Sequence, residues 1–305
     1  MKILCITPVK HLNGITELLS SKGQTFFYEG HNKAEIKQIL LHNKIDVLVC
    51  NPNQQLYLID REILEGTSVK TINSCSTGLN HIDLEYCRLE GIEIQCHKDD
   101  YELINELPST SELAFGLMMS LLRKIPSCHK HVSKYEWDYT QFMGRQVKGL
   151  KIGIVGYGRL GQMMHRFCEA FEAEVYICDP YRPEGTNSLE EIFSKCDVVS
   201  LHVHVTSETR HMINKDLLNV ADKELYIINT SRGEVVKEQD IIDGLREGAL
   251  TGYATDVIED EFGSLERSPL IRAMNDGQNI IITPHVGGMT IEGQTKAYKW
   301  SIGKL

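Results

Sequence analysis

Two sets of residues in this chain have the types and spacing to do chemistry. The first is Gly156-Tyr157-Gly158-Arg159-Leu160-Gly161, directly after the apolar run Lys151-Ile152-Gly153-Ile154-Val155. The second closes three later apolar runs: Asn229-Thr230-Ser231-Arg232-Gly233, Thr255-Asp256-Val257-Ile258-Glu259-Asp260-Glu261, and Thr283-Pro284-His285. The glycines suit a dinucleotide. Gly156 permits a tight turn, Gly158 lets the backbone approach a pyrophosphate, and Gly161 lets helix and strand pack closely. Arg159 and Leu160 open the helix that follows, whose N-terminal N–H groups and partial positive charge face phosphates. A second apolar run, Glu174-Val175-Tyr176-Ile177-Cys178, ends at Asp179, where a ribose-binding carboxylate belongs. Such a carboxylate repels a 2′-phosphate and favours NAD over NADP, whereas Arg182, three residues on, could reach one. The arginine, acids and histidine of the second set could anchor an anion and exchange a proton.

Those residues need elements to hold them. In the first hundred residues, strand patterns at 2–6, 25–28, 45–50, 69–74 and 92–96 alternate with amphipathic stretches at 12–21, 33–42, 60–65 and 83–90. This spacing predicts a parallel sheet with helices on both faces. Ser109-Thr110-Ser111-Glu112 then offers a capped start to a long helix carrying Leu113, Leu117, Leu121 and Leu122. A polar, aromatic segment at 129–145 leads to the glycine strand. Helix 159–171 follows the glycines. Beyond Asp179 the alternation resumes, with strands at 197–202, 224–229, 252–255 and 279–283 and a helix at 237–247. The plan is α/β, a six-strand doubly wound sheet with a dinucleotide at its switch point. In such a sheet the ligand crevice lies outside the carboxyl ends of the strands, so the three polar segments converge there. Two domains are expected, 1–105 with 286–305 and 106–285. Gly287-Gly288 is the hinge candidate, and the last helix returns toward the first domain.

Composition narrows the function. A net charge of −10 and a pI near 5.7 argue against nucleic acid or anionic membrane as the main partner. Nine cysteines without a CxxC pair or a metal-like Cys/His spacing predict no metal and fit a reducing, cytoplasmic setting. The run Met1 to Pro8 reads as a first strand rather than a signal peptide. The apolar stretch at 113–122 is too short to span a membrane.

Taken together, the motifs resemble the D-isomer-specific 2-hydroxyacid dehydrogenase family, which includes phosphoglycerate dehydrogenase. Ser76-Thr77-Gly78-Leu79-Asn80-His81-Ile82-Asp83 resembles its substrate loop, and Ser111-Glu112-Leu113-Ala114 the start of its interdomain helix. Val155 to Gly161 resembles its fingerprint, Asn229 to Gly233 its arginine loop, Asp256 with Glu261 its acid segment, and Thr283-Pro284-His285 its histidine. The resemblance implies a flavodoxin-like substrate domain and a Rossmann NAD-binding domain with a cleft between them. It implies an oxidoreductase that moves a hydride between NADH and a small 2-oxo acid. Arg232 would anchor the substrate, His285 would exchange the proton, and Glu261 would bond the other ring nitrogen. Ser76, Thr77 and Gly78, with Arg232 and His285, would bind substrate. His202, Val203, Thr230, Ser231, Asp256, Gly287, Gly288 and Thr77 would join the glycine loop and Asp179 in binding NAD. A homodimer is implied, through helix 109–125 and the Trp137 segment. The chain departs from the family at His204, where proline is usual. It also has Asn51-Pro52-Asn53 where phosphoglycerate enzymes tend to place an arginine, which weakens a phosphoglycerate assignment and puts a small unphosphorylated acid such as glyoxylate or hydroxypyruvate on an equal footing. The alternatives are an NAD(H)-sensing binding protein on the same fold and a different NAD enzyme, such as one oxidising formate.

Overall fold

The computed structural model describes residues 1–52, 57–261 and 263–305. Asn53, one of the residues read at the departure above, lies outside them. The described chain divides into two compact units, Met1–Leu107 with Gly288–Leu305, and Pro108–Gly287. The divisions fall after Leu107 and Gly287, where the sequence reading put them after 105 and 285.

The first unit runs β1 (Lys2–Cys5), α1 (Ile15–Lys22), β2 (Gln24–Phe27), α2 (Lys33–Asn43), β3 (Val47–Cys50), α3 (Arg61–Leu64), β4 (Thr71–Ser74), α4 (Leu84–Leu89), β5 (Glu93–Gln95) and α5 (Tyr101–Ile104). Its five strands are parallel in the order β2-β1-β3-β4-β5, the flavodoxin-like plan. Every residue of β3 is buried, which explains its continuous Val-Leu-Val-Cys run. Polar side chains cap α2, α3 and α4. The Asn32 side chain accepts N–H bonds from Ala34 and Glu35 at the start of α2, and Asp60 and Asp83 cap α3 and α4 in the same way. One face of the sheet packs Leu4, Leu48 and Ile72 against Ile36 and Leu40. The other packs Ile3, Cys5 and Val49 against Leu19, Tyr298 and Ile302.

Tyr298 and Ile302 belong to the C-terminal helix, Ile291–Gly303, which therefore completes this core. Polar contacts fix it as well. The Tyr298 hydroxyl lies 2.8 Å from Thr7 Oγ1, Ser301 Oγ donates to Asn73 Oδ1 at 2.7 Å, and Asn73 Nδ2 donates to Ser301 O at 3.0 Å. Asn73 is fully buried, so both its polar atoms require these partners.

His81, only 2% exposed, sits in the same unit. Its Nε2 meets Ser74 Oγ at 3.2 Å and Cys50 Sγ at 3.4 Å, while buried Nδ1 has no partner among the described residues. Burial lowers its pKa to about 4, because a charged ring would hold an unmatched Nδ1 proton away from water. The folded state thus prefers neutral His81, and the unfolded chain, titrating near ~6.5, takes up the proton first. Stability is intact above that value and falls as pH drops from there toward 4. We expect a loss of about 2 kcal/mol between pH 7 and pH 5 from this residue. Urea midpoints that stay level over that range would contradict the assignment.

The second unit runs α6 (Ser109–Leu122), α7 (Ile125–Val132), β6 (Lys151–Val155), α8 (Arg159–Ala170), β7 (Glu174–Cys178), α9 (Leu189–Lys195), β8 (Val198–Leu201), α10 (Lys215–Leu218), β9 (Tyr226–Asn229), α11 (Glu238–Glu247), β10 (Gly252–Thr255), α12 (Pro269–Asn275) and β11 (Ile280–Ile282). All six strands are parallel in the order β11-β10-β9-β8-β6-β7. The chain leaves β6 for β7 on one side and returns to β8 on the other, so the switch point lies at the carboxyl end of β6. Leu117, Met118 and Leu121 of α6 pack with Ile152 and Ile154 on one face of the sheet. Phe193, Ile241 and Leu270 pack with Val199 and Ile227 on the other. Among the described residues, no helix is long and apolar enough to cross a membrane.

Candidate active site

The turn after β6 is built as glycine requires at two positions. Gly156 has φ +91°, and a Cβ there would come 2.6 Å from the His202 carbonyl oxygen. A Cβ on Gly161 would come 2.1 Å from the Gly156 carbonyl oxygen, so α8 lies directly against the turn. Gly158 differs: a Cβ there would meet nothing within 4 Å. That open side is what the backbone needs to approach a ligand. Asp179 faces the same turn. Its Oδ2 accepts the Tyr157 N–H at 2.7 Å and its Oδ1 the Tyr181 N–H at 2.9 Å. These bonds orient the carboxylate and leave it further acceptor capacity.

Two buried polar atoms nearby have no partner among the described residues: His202 Nδ1, just after β8, and Thr230 Oγ1, just after β9. His202 Nε2 is 2.9 Å from Ser200 Oγ, and burial lowers the histidine pKa to about 4, so the ring is neutral near pH 7. Orphaned polar atoms at the carboxyl edge of a parallel sheet suit a bound polar group. With the open Gly158 and the oriented Asp179, the residues present fit a dinucleotide. The sequence did not signal two further braces of this loop. Ser111 Oγ donates to Leu160 O at 3.0 Å, and the Tyr157 hydroxyl lies 2.7 Å from His165 Nδ1.

The arginine loop is stitched by a fully buried residue, Asn229. Its Oδ1 accepts Ser231 N at 3.0 Å and Ser231 Oγ at 2.7 Å, and its Nδ2 donates to Arg232 O at 2.9 Å. Gly233 lies against the Ile258 backbone, where a Cβ would come within 2.0 Å. Half-buried Arg232 is thus presented from a fixed turn, with Nη1 donating to Ser231 O at 2.7 Å.

His285 is held from two sides. Its Nδ1 lies 2.8 Å from Glu261 Oε2, both side chains being partly buried. Its N–H donates to Asp256 O at 2.9 Å, and its φ of +54° places it in the left-handed region. Of the three neighbouring acids, Glu261 therefore meets the histidine, while Glu259 Oε1 lies 2.8 Å from His211 Nε2.

Asp256 is 2% exposed. Its carboxylate accepts Thr283 Oγ1 at 2.5 Å, Val286 N at 2.9 Å and Gly287 N at 2.7 Å. Burial pushes its pKa up, and these three bonds oppose the shift. It staples the segment that carries His285. His204 and Arg182 are exposed on the loops after β8 and β7. In the first unit Ser76 Oγ donates to Gly78 O at 2.7 Å and lies 3.0 Å from Ser74 Oγ, while Thr77 at the tip is exposed. Gly288 opens the last segment of that unit.

Residues 115–287 match the sequence model of the D-isomer specific 2-hydroxyacid dehydrogenase NAD binding domain. A D-3-phosphoglycerate dehydrogenase of Methanocaldococcus jannaschii is 29% identical over 97% of this chain, which covers 55% of that protein. A hydroxypyruvate reductase of Thermotoga maritima is 28% identical over 92% of this chain and 90% of its own length. The chain thus spans about half the length of the phosphoglycerate dehydrogenase it matches. The fold is that of an apo D-lactate dehydrogenase from Escherichia coli, with a TM-score of 0.85, 22% identity, and coverage of 99% of this chain and 95% of that one.

Proposed function

Because the chain belongs to the D-isomer specific 2-hydroxyacid dehydrogenase family, we propose that it transfers a hydride between NADH and a small 2-oxo acid, giving the D-2-hydroxy acid. The observation that carries this reading is the 2.8 Å pair of His285 and Glu261, in the same unit and at the same sheet edge as Arg232. Gly156, Gly158, Arg159, Leu160 and Gly161 would hold the pyrophosphate, Asp179 the ribose, and His202, Val203, Thr230, Ser231, Asp256 and Gly287 the remainder. Bound NADH would supply the hydride to the carbonyl carbon. Arg232 grips the substrate carboxylate and polarises its carbonyl, since a guanidinium is planar and permanently charged. Glu261 takes the Nδ1 proton of His285 in a hydrogen bond, which sets the tautomer and assigns proton exchange to Nε2. His285 then gives its Nε2 proton to the carbonyl oxygen. The oriented histidine supports this reading over an NAD(H) sensor.

Charge supports an unphosphorylated substrate. Residues 50–60 and 74–82 contain no lysine or arginine. The segments that resemble the family's substrate side therefore offer no cation to a phosphate, which favours an acid such as glyoxylate or hydroxypyruvate. The test is a reductase screen of 2-oxo acids with NADH and NADPH. Turnover of an unphosphorylated acid, with NADH the more efficient donor, is the expected result. Silence across the panel with NADH binding intact would replace the enzyme reading with the sensor. Better use of NADPH would overturn the role given to Asp179.

The same reading includes a homodimer. Trp137 is 87% exposed, Tyr139 85% and Met143 81%, an apolar grouping that a second copy would cover. Light scattering is expected to give twice the chain mass of 34.6 kDa; a monomer would refute it.

A further inference from the structure

Strand β6 lies between β8 and β7, so the loops after those two strands flank the glycine turn. Three contacts join the loops. Asp179, at the end of β7, bonds the Tyr157 N–H, and His202, at the end of β8, lies against Gly156. The third contact bypasses the glycine turn. The Tyr181 hydroxyl donates to Glu208 Oε2 at 3.2 Å, linking the two outer loops directly across the end of β6. Packing does not account for it, since Tyr181 is 80% exposed. Both partners are nevertheless presented from built turns. The Tyr181 N–H is fixed on Asp179 Oδ1, and Gly185 folds that loop back so closely that a Cβ would come 2.0 Å from Asp179 O. Across from it, Thr206 Oγ1 accepts the N–H groups of Glu208 and Thr209 at 3.2 Å each, and Thr209 Oγ1 donates to His204 O at 2.5 Å.

We propose that Tyr181 and Glu208 form a strap over the adenosine end of the dinucleotide site, and that Glu208, with Asp179, makes this end select an unphosphorylated ribose. The inference rests on the NAD reading above and adds a second specificity determinant to it. The two carboxylates stand on the two loops that flank the glycine turn, and like charges there raise the cost of binding a 2′-phosphate. Arg182, exposed on the Tyr181 loop, and Arg210, exposed on the Glu208 loop, are the opposing charges. The tyrosine ring adds a face of the kind on which purine bases stack. A hydroxyl that donates to Glu208 also holds that carboxylate in position.

The test measures binding rather than turnover. Calorimetry would compare ADP-ribose with 2′-phospho-ADP-ribose on the full chain, for wild type, Glu208→Gln and Tyr181→Phe. Both residues are exposed, and thermal melting checks that the variants fold. Wild type is expected to prefer ADP-ribose. Glu208→Gln should shrink the preference by about fivefold, the scale of one exposed charge contact. Tyr181→Phe should weaken ADP-ribose by roughly two- to tenfold, the scale of one hydrogen bond, and change the preference less. Raising salt should narrow the wild-type preference more than that of Glu208→Gln. If both probes bind and the Glu208→Gln preference stays within twofold of wild type, the strap is wrong and the NAD reading stands. If wild type binds neither probe, both fail.

Discussion

Replacing Arg232 with alanine is expected to abolish turnover of 2-oxo acids while leaving NADH affinity nearly unchanged. The separation of effects follows from how the arginine loop is built. Asn229 bonds the backbone and hydroxyl of Ser231 and the carbonyl of Arg232, and Gly233 is wedged against the Ile258 backbone. None of these contacts uses the guanidinium, which among the described residues donates to Ser231 O. Removing the side chain therefore leaves the loop, and Thr230 and Ser231 within it, in place for the cofactor. What disappears is a fixed positive charge for the substrate carboxylate and a donor for the carbonyl oxygen. Loss of a single preorganised donor typically costs ~10²–10³ in rate, and the missing carboxylate anchor adds to it. Arg232→Lys should recover a fraction only, because an ammonium cannot form the paired, planar contact. Steady-state kinetics with NADH titration by fluorescence reads both quantities. Turnover near wild type in Arg232→Ala would remove the residue from the mechanism. A large fall in NADH affinity would mean that it serves the cofactor instead.

The sequence carried the parts of this site that backbone geometry demands. A positive φ at Gly156 and the near-contact of Gly161 with the Gly156 carbonyl can be met only without a Cβ, so both positions are legible as letters. The parallel alternation was legible too, because buried strands such as β3 and β8 must be apolar throughout. The short helices α5, α7, α9, α10 and α12 escaped the reading. Four to eight residues give little periodicity, and such helices are set by caps and tertiary contacts, such as the reciprocal Ser188–Glu191 bonds at α9. Bonds between distant side chains and backbone amides escaped for another reason. Asp256 was read as a cofactor-binding residue, and the structure adds that three of its acceptor positions are taken by Thr283, Val286 and Gly287. Nothing in the letters gives the direction of those two N–H groups. The same holds for Glu261: Glu259 and Asp260 are equal to it in type, and only the folded loop turns Glu259 to His211.

His285→Ala should lower kcat by ~10²–10⁴, the range for loss of a general acid or base. The variant removes chemistry with little disturbance of structure. The segment around His285 is held through backbone groups, with the His285 N–H on Asp256 O and the next two N–H groups on the Asp256 carboxylate. One complication is the φ of +54°, which costs a residue with a Cβ about 1–2 kcal/mol. His285→Asn meets it, since asparagine tolerates the left-handed region and cannot exchange a proton at this position. Both variants should lose rate alike, and both should still bind NADH. Glu261→Gln is expected to fall less, because the amide oxygen still accepts from Nδ1–H while the negative charge that stabilises a protonated ring is gone. The three variants separate two roles for the pair. If His285 exchanges the substrate proton, the pH dependence of kcat/KM in wild type must flatten in His285→Asn. If the histidine only positions substrate, the rate falls but the pH profile keeps its shape. A wild-type rate in either His285 variant would end the proposal for that residue.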